Sequence, residues 1–207
     1  MLSYQHIYHA GNLADVQKHA LLAWMLGYLT RKDKPLSYIE THAGRGLYQL
    51  DAPEAVKTGE AEQGITRVLA GQALAMDHPL HRAIAETRKQ HGAAAYPGSP
   101  LVAASLLRPG DSMHFAELHP QENAALRRAL RPWRANVHQQ DWFELAQSLA
   151  PPNPRRGLLL IDPSYEIKTD YARIPGIIAK LHRKWNVGTI ALWYPILKDG
   201  PHKTMLT

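Results

Sequence analysis

Cysteine is absent from the 207 residues. Its absence excludes a disulfide framework, a thiolate zinc site and a cysteine nucleophile, and it suits a reducing compartment. Long apolar runs are also missing. The longest, residues 20–29, has ten positions including Gly27, against about 20 for a membrane-spanning helix. The stretch from Met1 to His6 has neither the basic nor the apolar region of a secretory signal. A soluble, cytoplasmic chain is the expectation. Charge of either sign is modest: 24 Lys plus Arg against 18 Asp plus Glu give a net charge of +6. That balance permits an anionic partner such as nucleic acid without requiring one. A hydrophobic fraction of 45% supplies a core, and a chain of this length buries roughly 70% of its unfolded surface. One domain is expected rather than two.

Apolar spacing predicts a helix over residues 15–29, with Asn12 or Asp15 capping its first turn. A short strand, 36–40, runs into the turn Thr41-His42-Ala43-Gly44-Arg45-Gly46. Residues 51–90 lose the regular pattern and read as a surface insertion with polar helices at 60–69 and 80–90. Tyr96-Pro97-Gly98-Ser99-Pro100 reads as a turn launching a helix, with Ser99 as N-cap and Pro100 at its first position. From there strands at 113–118, 135–138, 158–161 and 189–193 alternate with helices at 120–130, 142–149 and 171–185, with Pro175 starting or kinking the last. Strands alternating with helices predict a parallel sheet covered on both faces.

In such sheets ligands sit outside the carboxyl ends of the strands. Four of those ends carry acids: Glu40, Glu117, Asp141 and Asp162. Each alone has a structural reading, since acids terminate strands and cap helices, and Asp141 stands where it caps the helix from Trp142. Together they point to a ligand. Gly44-x-Gly46 lets backbone approach that ligand closely, but it lacks the third glycine of a dinucleotide fingerprint. Glu117 is placed to accept hydrogen bonds from two ribose hydroxyls.

The most specific signal is Leu158-Leu159-Leu160-Ile161-Asp162-Pro163-Ser164-Tyr165. An apolar strand ending this way resembles the Asp/Asn-Pro-Pro-Tyr/Phe motif of amino-group methyltransferases that use S-adenosylmethionine. The residue types suit the chemistry. An exocyclic adenine amine has its lone pair delocalised into the ring and is a poor nucleophile. The Asp162 carboxylate and Pro163 carbonyl would orient it by hydrogen bonds, and Tyr165 would stack on the base. Ser164 replaces the second proline of the motif.

Further blocks extend the resemblance along the chain: Tyr4-x-His6-x-x-His9-Ala10-Gly11-Asn12-x-x-Asp15-Val16-x-Lys18-His19, Glu40-Thr41-His42-Ala43-Gly44-x-Gly46-x-Tyr48, Tyr96-Pro97-Gly98-Ser99-Pro100, Glu117-Leu118-His119-Pro120 and Ala191-Leu192-Trp193-Tyr194-Pro195. In these the sequence is similar to the bacterial RlmJ family of 23S rRNA adenine-N6 methyltransferases. The resemblance implies an α/β fold, a Rossmann-like class I methyltransferase sheet with a small helical insertion after the first strand. Residues 1–50 and 92–207 would form the methyltransferase domain and 51–91 the insertion. It implies S-adenosylmethionine as cofactor, lined by Lys18, His19, His42, Gly44, Ser99, Glu117, Asp141, Trp142 and Asp162. Asp162 would be catalytic, with Pro163 and Tyr165, while Tyr4, His6 and Tyr165 would meet the RNA. The implied partner is 23S rRNA, protein-free or in an early assembly intermediate, met by a monomer. Family members continue past the Ala-Leu-Trp-Tyr-Pro block with two more strands, whereas twelve residues follow Pro195 here, so the expected sheet lacks those strands.

Other readings remain open on the residues. His42 serves cofactor contact or packing, and Lys18 and His19 serve the cofactor or stand as solvated helix positions. The twelve histidines raise a metal site, but His6-x-x-His9 and His78-x-x-His81 lack the His-Glu-x-x-His pattern, so no metal is expected. Arg127, Arg128, Arg131 and Arg134, or Arg155 with Arg156, track RNA backbone or are plain surface charge. A noncatalytic RNA-binding module is the alternative from another class, and a nicotinamide oxidoreductase is a third.

Overall fold

The computed structural model describes residues 6–198 and 200–206. Seven strands are present among them: β1 Ser37–Glu40, β2 Leu47–Gln49, β3 Ala95–Pro97, β4 Ser112–Ala116, β5 Asn136–His138, β6 Gly157–Ile161 and β7 Thr189–Leu192. Five make a parallel sheet in the order β5-β4-β1-β6-β7, and β2 pairs antiparallel with β3. Each neighbour of β1 comes later in the chain, so the strand order reverses between β1 and β6. That is where a doubly wound sheet opens its ligand crevice. The fold class expected from the sequence is the one observed.

Register explains why Leu158 to Ile161 is apolar without a break. Tyr38 aligns with Met113 and Leu158, and Ile39 with His114 and Leu159. Tyr38, Phe115, Leu158 and Leu160 pack into the larger core, while Ile39, Leu159 and Ile161 pack with Ile177, Leu181 and Trp185 on the other face. A central strand covered on both faces has no solvent side on which to place polar residues.

The helices are α1 Leu13–Leu29, α2 Pro53–Thr58, α3 Ile65–Leu69, α4 Pro79–His91, α5 Ser99–Leu106, α6 Pro120–Ala129, α7 Trp142–Leu149 and α8 Asp170–Lys184. None among the described residues is long and apolar enough to cross a membrane. Asn12 caps α1, its side chain accepting the Asp15 N–H at 2.9 Å. Ser99 is not the cap of α5. Gly98 holds that place and Ser99 opens the helix, because its hydroxyl is drawn to the buried Glu40 carboxylate, 2.5 Å away. Pro175 lies inside α8 rather than at its start.

Residues 51–91 differ from a polar surface block. Leu80, Ala83, Ile84 and Thr87 recur at helical spacing, and all are buried on α4. The first three join Ile65 and Val68 in the same core as Leu22, Leu26 and Leu101. The α2 helix and the β2–β3 pair were not foreseen; both are too short to carry a periodic signal. The β2–β3 pair sets Tyr48 opposite Tyr96 where the chain leaves for and returns from this segment. Ile65 N–H donates to the Gly11 carbonyl at 2.9 Å and ties the segment to the entry of α1.

Candidate active site

Helix α1 lies antiparallel over β6. Near its start the Lys18 ammonium donates to Asp162 Oδ2 at 2.6 Å, just past the end of β6. Near its finish the Leu29 carbonyl accepts from the Arg156 guanidinium, just before β6 begins. A cleft of about 780 Å³ opens outside the carboxyl ends of β1 and β6. Its walls bring together Lys18, His19, His42, Gly44, Ser99, Glu117, Asp162, Pro163 and Tyr165, with His6 also at the lining. These positions are drawn from residues 6 to 165.

Three elements converge on the floor. Asp15 and Lys18, one helical turn apart on α1, approach with 3.3 Å between Asp15 Oδ1 and Nζ. Asp15 Oδ2 also accepts the Gly11 N–H at 3.1 Å and lies 2.7 Å from His6 Nε2. Burial by itself would depress the Lys18 ammonium, but the Asp162 and Asp15 carboxylates outweigh it and raise its pKa above the ordinary value. Burial opposes the Asp15 charge too, yet His6 and Lys18 hold its pKa well below the usual carboxylate range. Glu40 lies beneath, fully buried, accepting from Ser99 and from the Tyr38 hydroxyl at 2.8 Å. Burial lifts its pKa to about 8 against those hydrogen bonds.

The wall near β4 is built by Glu117. One of its oxygens accepts the Gly44 N–H at 2.9 Å and the other the His119 N–H at 2.8 Å. Burial raises its pKa despite these donors. Gly44 has φ +62°, and a Cβ there would stand 2.8 Å from the Tyr48 hydroxyl, so the turn stays open only with glycine. The His42 ring sits with Nδ1 2.7 Å from Thr41 Oγ1 and its centroid 5.5 Å from that of Trp142. His19 Nδ1 lies 2.8 Å from the Tyr96 hydroxyl. Burial drives both histidines down, to about 4 and about 3 respectively, and so keeps both neutral.

Tyr165 closes the far side in a left-handed backbone conformation, φ +57°. Its hydroxyl donates to the Trp193 carbonyl at 2.9 Å, and its ring lies 4.6 Å from that of Tyr171.

Asp141 and Trp142 are not among the lining residues. Asp141 Oδ1 accepts the Phe143 and Glu144 N–H groups and caps α7, and Trp142 reaches the cleft through His42. Tyr4 lies outside the described residues. Two of the arginines proposed for RNA are engaged on the protein itself. Arg127 donates to the Val137 carbonyl, and Arg156 to the Lys34 and Leu29 carbonyls. The sequence alone places no site role on Asp15, and on Glu40 only that of one strand-end acid among four. Asp15 reads as an ordinary first-turn acid, and its burial shows only in three dimensions. Glu40 stood among the strand-end acids, which was the available signal.

A cofactor with a sugar and a charged tail suits this donor set. Glu117 and the glycine turn face the cleft on one side, and Ser99, His19 and Lys18 on another, within a volume normal for such sites.

The model of the family described as ribosomal RNA large subunit methyltransferase D, RlmJ, matches residues 33–207. The chain is 41% identical to ribosomal RNA large subunit methyltransferase J of Escherichia coli over 100% of its own length and 74% of the relative's. It is 39% identical to the protein of the same name from Haemophilus influenzae, over 95% of this chain and 71% of that one. Among solved structures, a Legionella pneumophila protein of family DUF519 superposes with a TM-score of 0.84 at 37% identity. That match covers 96% of this chain and 74% of the other.

Proposed function

The chain belongs to the RlmJ family of ribosomal RNA large-subunit methyltransferases, and from that premise we propose that it methylates N6 of an adenine in 23S rRNA with S-adenosylmethionine as donor. The observation that carries this reading is the Asp162 carboxylate, held by Lys18 at the switch point of the sheet, in the same cleft as Pro163, Tyr165, Gly44 and Glu117.

The donor supplies a methyl group already activated by a sulfonium charge. Glu117 would accept hydrogen bonds from its ribose hydroxyls, Gly44 would let it approach the backbone, and His19, His42 and Ser99 would line the rest of its site. Lys18 occupies Oδ2 of Asp162, which leaves Oδ1 to orient the adenine amine and accept its proton. The Pro163 carbonyl takes the second N–H, and Tyr165 offers an aromatic surface to a base turned out of its stack. His6, at the cleft lining, and Tyr4 meet the RNA. Rate comes from positioning and from the fixed charges around the amine. Residues 51–91 act as the helical insertion of this domain. The enzyme works as a cytoplasmic monomer on protein-free rRNA or an early assembly intermediate.

Transfer of labelled methyl from S-adenosylmethionine to protein-free, unmodified 23S rRNA, followed by nucleoside analysis, tests this. Label in N6-methyladenosine is the expected result. Label in another nucleoside overturns the adenine assignment. Cofactor binding without transfer to any RNA favours a noncatalytic RNA-binding module instead.

A further inference from the structure

We propose that Asp15 is a positioning residue for methyl transfer: it holds the Lys18 ammonium on one oxygen of Asp162, so that the other oxygen stays aimed at the amine. The inference rests on the assignment of Asp162 to the acceptor amine.

A lysine side chain has four flexible bonds and three equivalent donors, so a single contact does not define where its charge sits. Around Lys18 stand Asp15 on its own helix, Asp162 past β6 and Glu40 at the end of β1. Without Asp15 the ammonium would divide its time among Asp162, the Glu40 carboxyl and the water of the cleft. Asp15 removes that freedom. Its own position is set by backbone, since Oδ2 accepts from Gly11, a residue at φ +75°. Its N–H is bound by the Asn12 cap at 2.9 Å. The side chain is 2% exposed, so water does not compete for it. Position thus passes from the Gly11 turn to Asp15, to Lys18 and to Asp162. His6, His19, Tyr48, Tyr96 and Glu60 are further titratable groups that interact with Asp15 among the described residues. The first lies against the same Oδ2 that accepts from Gly11, and the second is kept neutral by burial.

Asp15→Asn keeps an acceptor for Gly11 and removes the charge. The expected result is a folded variant with kcat lowered about 10- to 100-fold and KM for the RNA within about threefold of the parent, because only the reacting geometry is lost. Asp15→Glu should recover part of kcat. Combined with Lys18→Gln, Asp15→Asn should cost nothing further, since residues acting through one another are not additive. Additive losses, or an unchanged kcat in Asp15→Asn, overturn the proposal. A second measurement needs no turnover. In protein labelled with 15N-lysine, one ammonium signal should be protected from solvent exchange, vanish in Lys18→Gln, and lose its protection in Asp15→Asn. If that signal keeps its protection in Asp15→Asn, the clamp is refuted. A parent enzyme that transfers no methyl refutes the proposed function instead, and the lysine signal still decides the role of Asp15.

Discussion

Lys18 and Asp162 are 144 residues apart in the chain and 2.6 Å apart in the fold. Their side chains are 9% and 15% exposed. A charge pair so enclosed is costly to break from one side, because the partner left behind keeps its charge in a poorly solvated place. The pair exists because α1 lies along β6, which makes the packing of one helix a condition of the chemistry.

Asp162→Ala should reduce methyl transfer to 23S rRNA by about a thousandfold or more, the scale expected when a preorganised charge at the reacting group is removed. Lys18 retains Asp15 as a partner, so the variant should still melt cooperatively. Single-turnover transfer beside a thermal melt measured by circular dichroism checks both halves. Near-normal turnover would remove Asp162 from the mechanism.

Glu117→Gln should weaken S-adenosylmethionine binding about tenfold, a loss of about 1.4 kcal/mol, while hardly affecting kcat at saturation. The amide keeps one acceptor oxygen, so the Gly44 turn or the His119 N–H loses its bond as well. Calorimetric titration with the cofactor reads the affinity directly.

Glu40 should make the protein less stable in alkali. Burial raises its folded pKa to about 8, above the ordinary carboxylate value, so between those two points the folded state holds a proton that the unfolded state has released. Stability is then fully present below the unfolded value and falls as pH rises through about 8. Glu40→Gln should flatten that decline and melt several degrees above the parent at pH 9, about 2–4 °C per kcal/mol in a chain of this size. A parent whose melting temperature is constant from pH 5 to pH 9 would show that the carboxylate is not protonated in the fold.

The buried histidines act at the other end of the scale. His19 and His42 have folded pKa values near 3 and 4 because burial disfavours their charge. Their contribution is present above the ordinary histidine value and is lost as pH falls from there towards 4 and 3. The urea midpoint should therefore drop between pH 6.5 and pH 4, and His19→Gln should make the drop shallower.

Gly64→Ala should loosen residues 51–91 from α1. A Cβ at Gly64 would lie 2.1 Å from the Gly11 carbonyl oxygen, which must then move from the turn that also anchors Asp15. Overpacking of this kind costs about 1–3 kcal/mol. The melting temperature should fall, and methyl transfer with it.

Most of the elements were legible as periodicity. The spacing of α1, the apolar run of β6 and the alternation after residue 110 are local signals, and the acids at the strand ends follow once a parallel sheet is assumed. Asp162-Pro163-Ser164-Tyr165 was legible because a chemical requirement leaves few residue types able to meet it. What escaped was set by competition or by contact. Ser99 has the side chain of an N-cap, yet a carboxylate from another strand draws its hydroxyl away. The three-residue strands β2 and β3 exist because they face each other, and neither carries a pattern long enough to read.

By itself the sequence determined the fold class, the family and the residue types that reach the carboxyl ends of the strands, because each is written in local spacing or in short motifs. Only the tertiary structure decided that Asp15 and Glu40 are buried and that Lys18 is shared between two carboxylates. Those outcomes depend on which helix face lies over which strand end. Packing settles that across the whole chain, through desolvation and charge pairing that no local pattern encodes.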